Sequence, residues 1–373
     1  MKELRVIFAG GGTGGHLFPA LAIADRLKER VEPEYKAVFR FVGTKRGLEY
    51  RLRDKLGYPL SLISVRGIAR SGLWRNLIFP FLLIAGLLKS IYLILRINPA
   101  VVIGTGGYVM GPVIMAAIAL NRRSLIQEQN SYPGLTTRQL AAKVDLVCLG
   151  FPAAAAFLKG SDLVETGNPV KKDIGRFSRD EACRYFGLKP DLPTILIIGG
   201  SQGAFSINNN IAAHLADLDI NYQIIWQTGE RAYKEVSALA GGRVKGRALF
   251  AFLDRMELAY AAADIAIARA GALTLAELEA AARPAILVPY PYAAGDHQRK
   301  NAEYFEKQGA AVIIDDSRLD QLDLLARAAE IIKSGRIEKM KNAVEKMRDR
   351  RQQAAVDLIT DKILELTDIK KEQ

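Results

Sequence analysis

The same local pattern opens each half of the chain: an apolar strand, a glycine-rich turn, then an amphipathic helix. The first copy is RVIFAGGGTGGHLFPALAIADRL from Arg5, and the second is TILIIGGSQGAFSINNNIAAHL from Thr194. Strands apolar at consecutive positions must be covered on both faces, and a glycine turn leading straight into a helix is how parallel strands acquire that cover. The repetition therefore constrains the fold to α/β, with two doubly wound, Rossmann-like domains. At 373 residues the chain also exceeds what one ordinary core holds.

Further apolar runs continue the alternation. In the first half, strands are predicted over Leu4–Ala9, Ala37–Val42, Val101–Ile103, Ser124–Ile126 and Leu146–Leu149. In the second they are predicted over Thr194–Ile198, Tyr222–Trp226, Ala248–Phe252, Ile265–Ala268, Ala285–Val288 and Ala311–Ile314. The domains divide near Gly167-Asn168-Pro169, into residues 1–167, joined by a final helix within 352–373, and residues 168–351. A ligand cleft is expected between them.

The formal charge of +12 favours polyanionic partners without choosing among nucleic acid, anionic lipid and phosphorylated substrates. Cys148 and Cys183 are the only cysteines, too few for a disulfide framework or a thiolate metal site, and they fit a reducing compartment. The first residues form a strand and turn in place of a cleavable leader, so a cytoplasmic location is expected. One segment, Leu77–Ile97, approaches the length of a bilayer crossing. Pro80, Lys89 and the following Asn98-Pro99 argue against a span. Two readings stay open: a core helix, or a helix whose apolar side dips into a membrane surface with Arg66, Arg70, Trp74 and Arg75 at the boundary.

Chemistry concentrates at the turns. Gly10-Gly11-Gly12-Thr13-Gly14-Gly15 lies between strand and helix, where glycine allows close approach of a phosphate or sugar hydroxyl to main-chain amides. The turn lacks the Gly-Lys-Ser/Thr ending of a triphosphate loop, and no acidic residue closes the second strand as a dinucleotide fold requires. His16 at its mouth is a candidate base, or a capping residue. A second cluster, Gly104-Thr105-Gly106-Gly107-Tyr108, and the polar run Gln127-Glu128-Gln129-Asn130 follow neighbouring strands. The second half offers Gly199-Gly200-Ser201-Gln202-Gly203, then Arg269-Ala270-Gly271 leading into a helix that carries Glu277, a carboxylate suited to a vicinal diol. Asp296-His297-Gln298 ends a further loop, with His297 at a helix start and His214 on the surface. A bound diphosphate is expected to be met by helix-start amides, one nest in each domain, with no Asp-x-Asp metal pair.

Taken together, GGTGGHLFPALAIA, GTGGYVMGP, EQN, GNPV, GGSQGA, RAGALTLAE and Asp296-His297-Gln298 resemble, in order and spacing, the bacterial MurG family of N-acetylglucosaminyltransferases. That resemblance implies the GT-B fold and transfer from UDP-N-acetylglucosamine to the muramoyl 4-hydroxyl of lipid I, with inversion, no cofactor and no nucleic-acid partner. It implies peripheral attachment to the cytoplasmic face of the membrane, beside other cell wall synthesis proteins. By motif, Thr13, Gly14, Gly15, Asn130, Lys171, Ser201, Leu253, Ala272, Leu273, Thr274, Leu275, Ala276, Glu277 and Gln298 would contact the donor, and His16 would be the catalytic base. Gly104, Gly106, Gly107 and Tyr108 would meet the acceptor. Lys171, Ala270 and Gln127 depart from the arginine, serine and histidine of relatives. Rival readings are a glycosyltransferase with another acceptor, a nucleotide-sugar epimerase, and a nucleotide-binding module without turnover.

Overall fold

The computed structural model describes residues 2–67, 78–160, 162–200, 203–239, 247–350 and 354–369. The chain forms two compact units, Met1–Val170 with Gln353–Gln373, and Lys171–Gln352. Strands of the first are β1 (Lys2–Gly10), β2 (Tyr35–Gly43), β3 (Leu60–Leu62), β4 (Val101–Gly106), β5 (Ser124–Glu128), β6 (Leu146–Leu149) and β7 (Asp162–Glu165). They lie in the order β3-β2-β1-β4-β5-β6-β7, every pair parallel. The second unit contains β8 (Thr194–Ile198), β9 (Gln223–Gln227), β10 (Arg247–Phe250), β11 (Ile265–Ala268), β12 (Ala285–Leu287) and β13 (Ala311–Ile313). Their order, β10-β9-β8-β11-β12-β13, is again wholly parallel.

In each sheet the direction of winding reverses between the first and fourth strands, β1 and β4 in one unit and β8 and β11 in the other. Loops leaving adjacent strands part there, which opens a crevice at the carboxyl edge where such sheets bind ligands. The three predicted glycine clusters and the turn at Gly271 follow these four strands. Sequence order alone thus carried the chemistry to the switch points.

Two core layers cover the first sheet. One packs Leu17, Ile23 and Leu27 of the helix Gly14–Val31 with Phe8, Phe41, Ile103 and Leu125, and it includes Ile359, Ile363 and Leu364 of the helix Ala355–Leu366. That last helix therefore belongs to the first unit. Its apolar residues recur every three or four positions, and an ion pair from Arg30 to the buried Asp361 at 3.0 Å secures its other side. The second layer packs Val109, Met110, Val113 and Ile114 of the helix Gly107–Ala119 beneath Leu93 and Ile94. The second unit has its own core, centred on Ile195, Ile197, Ile265, Ile267 and Trp226.

The open reading of Leu77–Ile97 narrows here. The helix Phe79–Ile97 buries only a stripe, Gly86, Ser90, Leu93 and Ile94, against its own unit. The opposite side, Phe81, Ile84, Leu88, Tyr92 and Leu95, is exposed, Phe81 to 73%. Within its own unit, and among the described residues, that face has no apolar cover, unlike the surface of a plain core helix. Arg70, Trp74 and Arg75 lie outside the described residues.

Candidate functional site

In the first unit, β1 and β4 approach so closely at their ends that only glycine fits. A Cβ at Gly107 would fall 2.4 Å from the Gly11 carbonyl oxygen, and one at Gly106 2.5 Å from His16 Nδ1. Gly106 and Gly107 both have positive φ, 104° and 75°, so conformation and contact demand the same residue. Gly104 is different: it is buried, and a Cβ there would meet the Met110 side chain at 2.5 Å. Its place is in the packing beneath the helix Gly107–Ala119.

The turn is braced from below by a residue absent from the sequence-based set. Glu49 is fully buried, and its carboxylate accepts from Gly12 N at 2.8 Å and Thr44 N at 2.8 Å. Thr44 in turn meets the Tyr108 hydroxyl at 3.2 Å, tying the second glycine cluster to the first. The expected anion nest is smaller than the glycine count suggested, because Gly12 already serves this carboxylate. What remains is the start of the helix Gly14–Val31, whose N-cap Thr13 makes no side-chain capping bond. A buried carboxylate thirty-odd residues away leaves no local signal in a glycine motif.

His16 is half-buried at the helix start, with Nδ1 3.1 Å from the Thr105 carbonyl and 3.1 Å from Gln129 Oε1. Both neighbours present oxygens, so this geometry favours the tautomer with its proton on Nδ1. Glu128 turns its buried carboxylate to Asn130 N at 3.0 Å and Gly134 N at 3.1 Å, which shapes the loop presenting Asn130.

In the second unit, Ser201 and Gln202 lie outside the described residues. Around them, Gly203 N bonds Gly200 O at 3.0 Å, and a Cβ at Gly203 would fall 2.0 Å from the Thr228 carbonyl. Gln227, buried at the end of β9, donates to Gly200 O at 3.0 Å and accepts from Leu253 N at 2.9 Å. One side chain thus fixes two loops that carry predicted donor contacts, and sequence reasoning did not find it.

The helix Ala272–Ala280 starts at Gly271 without a side-chain cap. Gly271 has an ordinary φ of −66°, and a Cβ there would find only Thr274 Oγ1 at 3.7 Å. Backbone strain does not require this glycine; room above the uncapped amides is what it preserves. Leu275 and Ala272 are buried beneath, while Leu273, Thr274, Ala276 and Glu277 keep some exposure. Glu277 Oε2 accepts from the Tyr260 hydroxyl at 2.9 Å. Desolvation raises the Glu277 pKa to about 7, against the Tyr260 bond and the nearby positive charge of Lys171, which both lower it.

Arg269 gathers the surrounding loops, donating to Val288 O at 3.1 Å, Pro289 O at 3.3 Å and Ser206 Oγ at 2.7 Å and pairing with Asp316. Gln298 buttresses the same loop by accepting from Tyr290 N at 2.9 Å. His297 starts the helix His297–Lys307, as read from sequence, whereas His214, expected on the surface, is half-buried at the end of the helix Phe205–His214 with Nδ1 2.9 Å from Asn210 O. One expectation needs correction, since an Asp-x-Asp does occur, at Asp217-Leu218-Asp219. It precedes β9 at the amino edge of the sheet, opposite the strand ends that carry the site.

Two doubly wound units, each with an uncapped helix start at its switch point, define the GT-B architecture, the fold of two-domain glycosyltransferases and one that nucleotide-sugar epimerases share. The N-terminal domain of glycosyltransferase family 28 matches residues 6–148, and its C-terminal domain matches residues 194–356. The UDP-N-acetylglucosamine--N-acetylmuramyl-(pentapeptide) pyrophosphoryl-undecaprenol N-acetylglucosamine transferase of Flavobacterium psychrophilum is 40% identical over 323 residues, 86% of this chain and 87% of its own. The transferase of the same name from Chlorobium luteolum is 44% identical over 328 residues, 85% of this chain and 87% of its own. A crystal structure of Acinetobacter baumannii MurG is similar at a TM-score of 0.74 and 30% identity, covering 98% of this chain and 100% of that one. The chain belongs to this MurG family, within glycosyltransferase family 28.

Proposed function

We propose that the chain transfers N-acetylglucosamine from UDP-N-acetylglucosamine to the N-acetylmuramoyl-pentapeptide carried on undecaprenyl diphosphate, converting lipid I to lipid II for peptidoglycan. The observation that carries this reading is family membership over nearly the whole chain, through relatives named for that transfer. In the reaction, His16 Nε2 takes the proton of the muramoyl 4-hydroxyl as its oxygen bonds to the anomeric carbon. The bond from that carbon to the UDP oxygen breaks on the opposite face, so the configuration inverts. Negative charge gathers on the departing diphosphate, where the uncapped amides at Ala272, Leu273 and Thr274 and the uncapped start of the helix Phe205–His214 oppose it. Glu277 accepts from the ribose diol, Lys171 lies beside it, and Thr13, Gly14, Gly15, Asn130, Leu253 and Gln298 complete the donor contacts. Gly106, Gly107 and Tyr108 serve the acceptor.

The exposed face Phe81, Ile84, Leu88, Tyr92 and Leu95 supports peripheral attachment to a membrane, where a prenyl diphosphate resides. The excess of basic residues is then directed at anionic lipid on the cytoplasmic side, and the product serves cell shape and division. Transfer of radiolabelled N-acetylglucosamine tests the reading: label should enter lipid only when lipid I is supplied. Free epimerised sugar, released without acceptor, would replace it with the epimerase reading.

A further inference from the structure

Behind His16 lie three amide side chains that the transfer reaction itself does not use: Gln127, Gln129 and Asn168, all buried. Gln129 Nε2 donates to Thr105 O at 2.7 Å and Gln127 O at 3.0 Å, and it also faces Gln127 Oε1. Its NH₂ is surrounded by oxygen. Rotating the amide by half a turn would set Oε1 against those same oxygens, a buried repulsion that nothing nearby relieves. Oε1 is therefore held toward His16 Nδ1, 3.1 Å away.

The orientation of Gln129 is itself secured by its neighbours. Gln127 Nε2 donates to Asn168 Oδ1 at 2.9 Å, and Asn168 Nδ2 donates to Gln129 O at 2.9 Å. With the bond from Gln129 to Gln127, each amide has one orientation that satisfies the ring. Gly150 keeps the space open, since a Cβ there would fall 2.3 Å from Asn168 Oδ1. Gln127, the residue that departs from the family histidine, is thus a working member of the ring.

We propose that Gln129 is a positioning residue that, with the Thr105 carbonyl, holds His16 as the Nδ1–H tautomer, and that Gln127 and Asn168 hold Gln129. This rests on the reading of His16 as the base, because that tautomer leaves Nε2 to take the acceptor proton.

Nitrogen NMR of the imidazoles tests it, and with only three histidines in the chain the His16 signals are assignable by substituting His214 and His297. The full-length wild-type protein should show a protonated Nδ1 and an unprotonated Nε2 at His16. In Gln129→Met the ring should become a mixture of tautomers. Turnover should fall about tenfold or more, with KM for UDP-N-acetylglucosamine held within about twofold. Gln127→Leu, which frees Gln129 from behind, should give the same change in smaller measure. A wild-type His16 protonated at Nε2 would overturn the proposal whether or not the variants fold. So would a Gln129→Met protein of pure Nδ1–H tautomer and wild-type turnover. If His16→Ala keeps full turnover while the tautomer changes appear as expected, the base reading fails and the positioning by Gln129 stands.

Discussion

The Tyr260 hydroxyl donates to Glu277 Oε2 at 2.9 Å, so one oxygen of the carboxylate proposed to meet the ribose is already engaged within the chain. That bond favours the ionised form, as does Lys171, yet burial outweighs both and leaves the carboxyl titrating at about 7.

Donor affinity should follow this titration. A ribose diol donates to a carboxylate but gains less from a carboxylic acid, so KM for UDP-N-acetylglucosamine should fall as pH rises through about 7. Tyr260→Phe removes a bond that favours the charge, so the midpoint should move upward. A KM series across pH checks both, and an unmoved midpoint in Tyr260→Phe would separate the hydroxyl from the titration.

The same group bears on stability, with the opposite sign. Its folded pKa is raised above the ordinary carboxylate value, so its stabilising contribution is complete below about 4.5 and is lost as pH rises through about 7. Glu277→Gln removes the half-buried charge. It should therefore unfold at a higher urea concentration than wild type at pH 8, by no more than about 3 kcal/mol, while binding donor more weakly.

Gly271→Ala separates room for a ligand from needs of the fold. The φ of −66° suits alanine, and the nearest atom to the new methyl is 3.7 Å away. Melting temperature should hold or rise slightly, as when alanine replaces a glycine of ordinary conformation. The methyl would stand over the uncapped amides, so KM for the donor should rise about tenfold or more. Calorimetry with UDP checks it, and undiminished affinity would put the diphosphate elsewhere.

Gln227→Leu should loosen the turn at Gly200 and the loop at Leu253 together. It breaks bonds of 3.0 Å and 2.9 Å and leaves Gly200 O and Leu253 N without that partner. The expected result is destabilisation of about 1–3 kcal/mol and weaker UDP binding, with the acceptor KM unaffected. A change confined to the acceptor would detach Gln227 from the donor loops.

How much of this was legible in the sequence follows from the range of each interaction. β1, β4, β8 and β11 and their glycine turns are local patterns, apolar runs ended by residues of special backbone freedom, and they mark the switch points directly. β3 and β7 were missed because Leu60–Leu62 is three residues long and Asp162–Glu165 is exposed at both ends, so neither shows the apolar run of a central strand. Glu49, Gln227 and Tyr260 escaped for another reason: each reaches a site residue distant in sequence, at Gly12, Gly200 and Glu277. Only the folded chain brings such bracing groups to the residues that carry motifs. The helix Ala355–Leu366 has a clear amphipathic pattern, yet its partner, the helix Gly14–Val31, is not encoded in that pattern.

The last prediction concerns the helix Phe79–Ile97. Phe81, Ile84, Leu88, Tyr92 and Leu95 recur at spacings of three and four, so they share one face, and all are exposed. Burial of such side chains in a bilayer surface contributes about 1.5–3 kcal/mol each when complete. Phe81→Ser with Leu88→Ser should therefore lower binding to vesicles of anionic phospholipid by about tenfold or more. Neither side chain lies in the buried stripe of Gly86, Ser90, Leu93 and Ile94, so the melting temperature should be preserved. Transfer to a detergent-soluble acceptor of shortened prenyl chain should also survive, because the helix face is distant in role from His16 and Glu277. Sedimentation with vesicles, run beside that soluble assay, separates the outcomes. Binding unchanged by the double substitution would remove this face from membrane attachment, and loss of soluble activity would show that the helix supports the site instead.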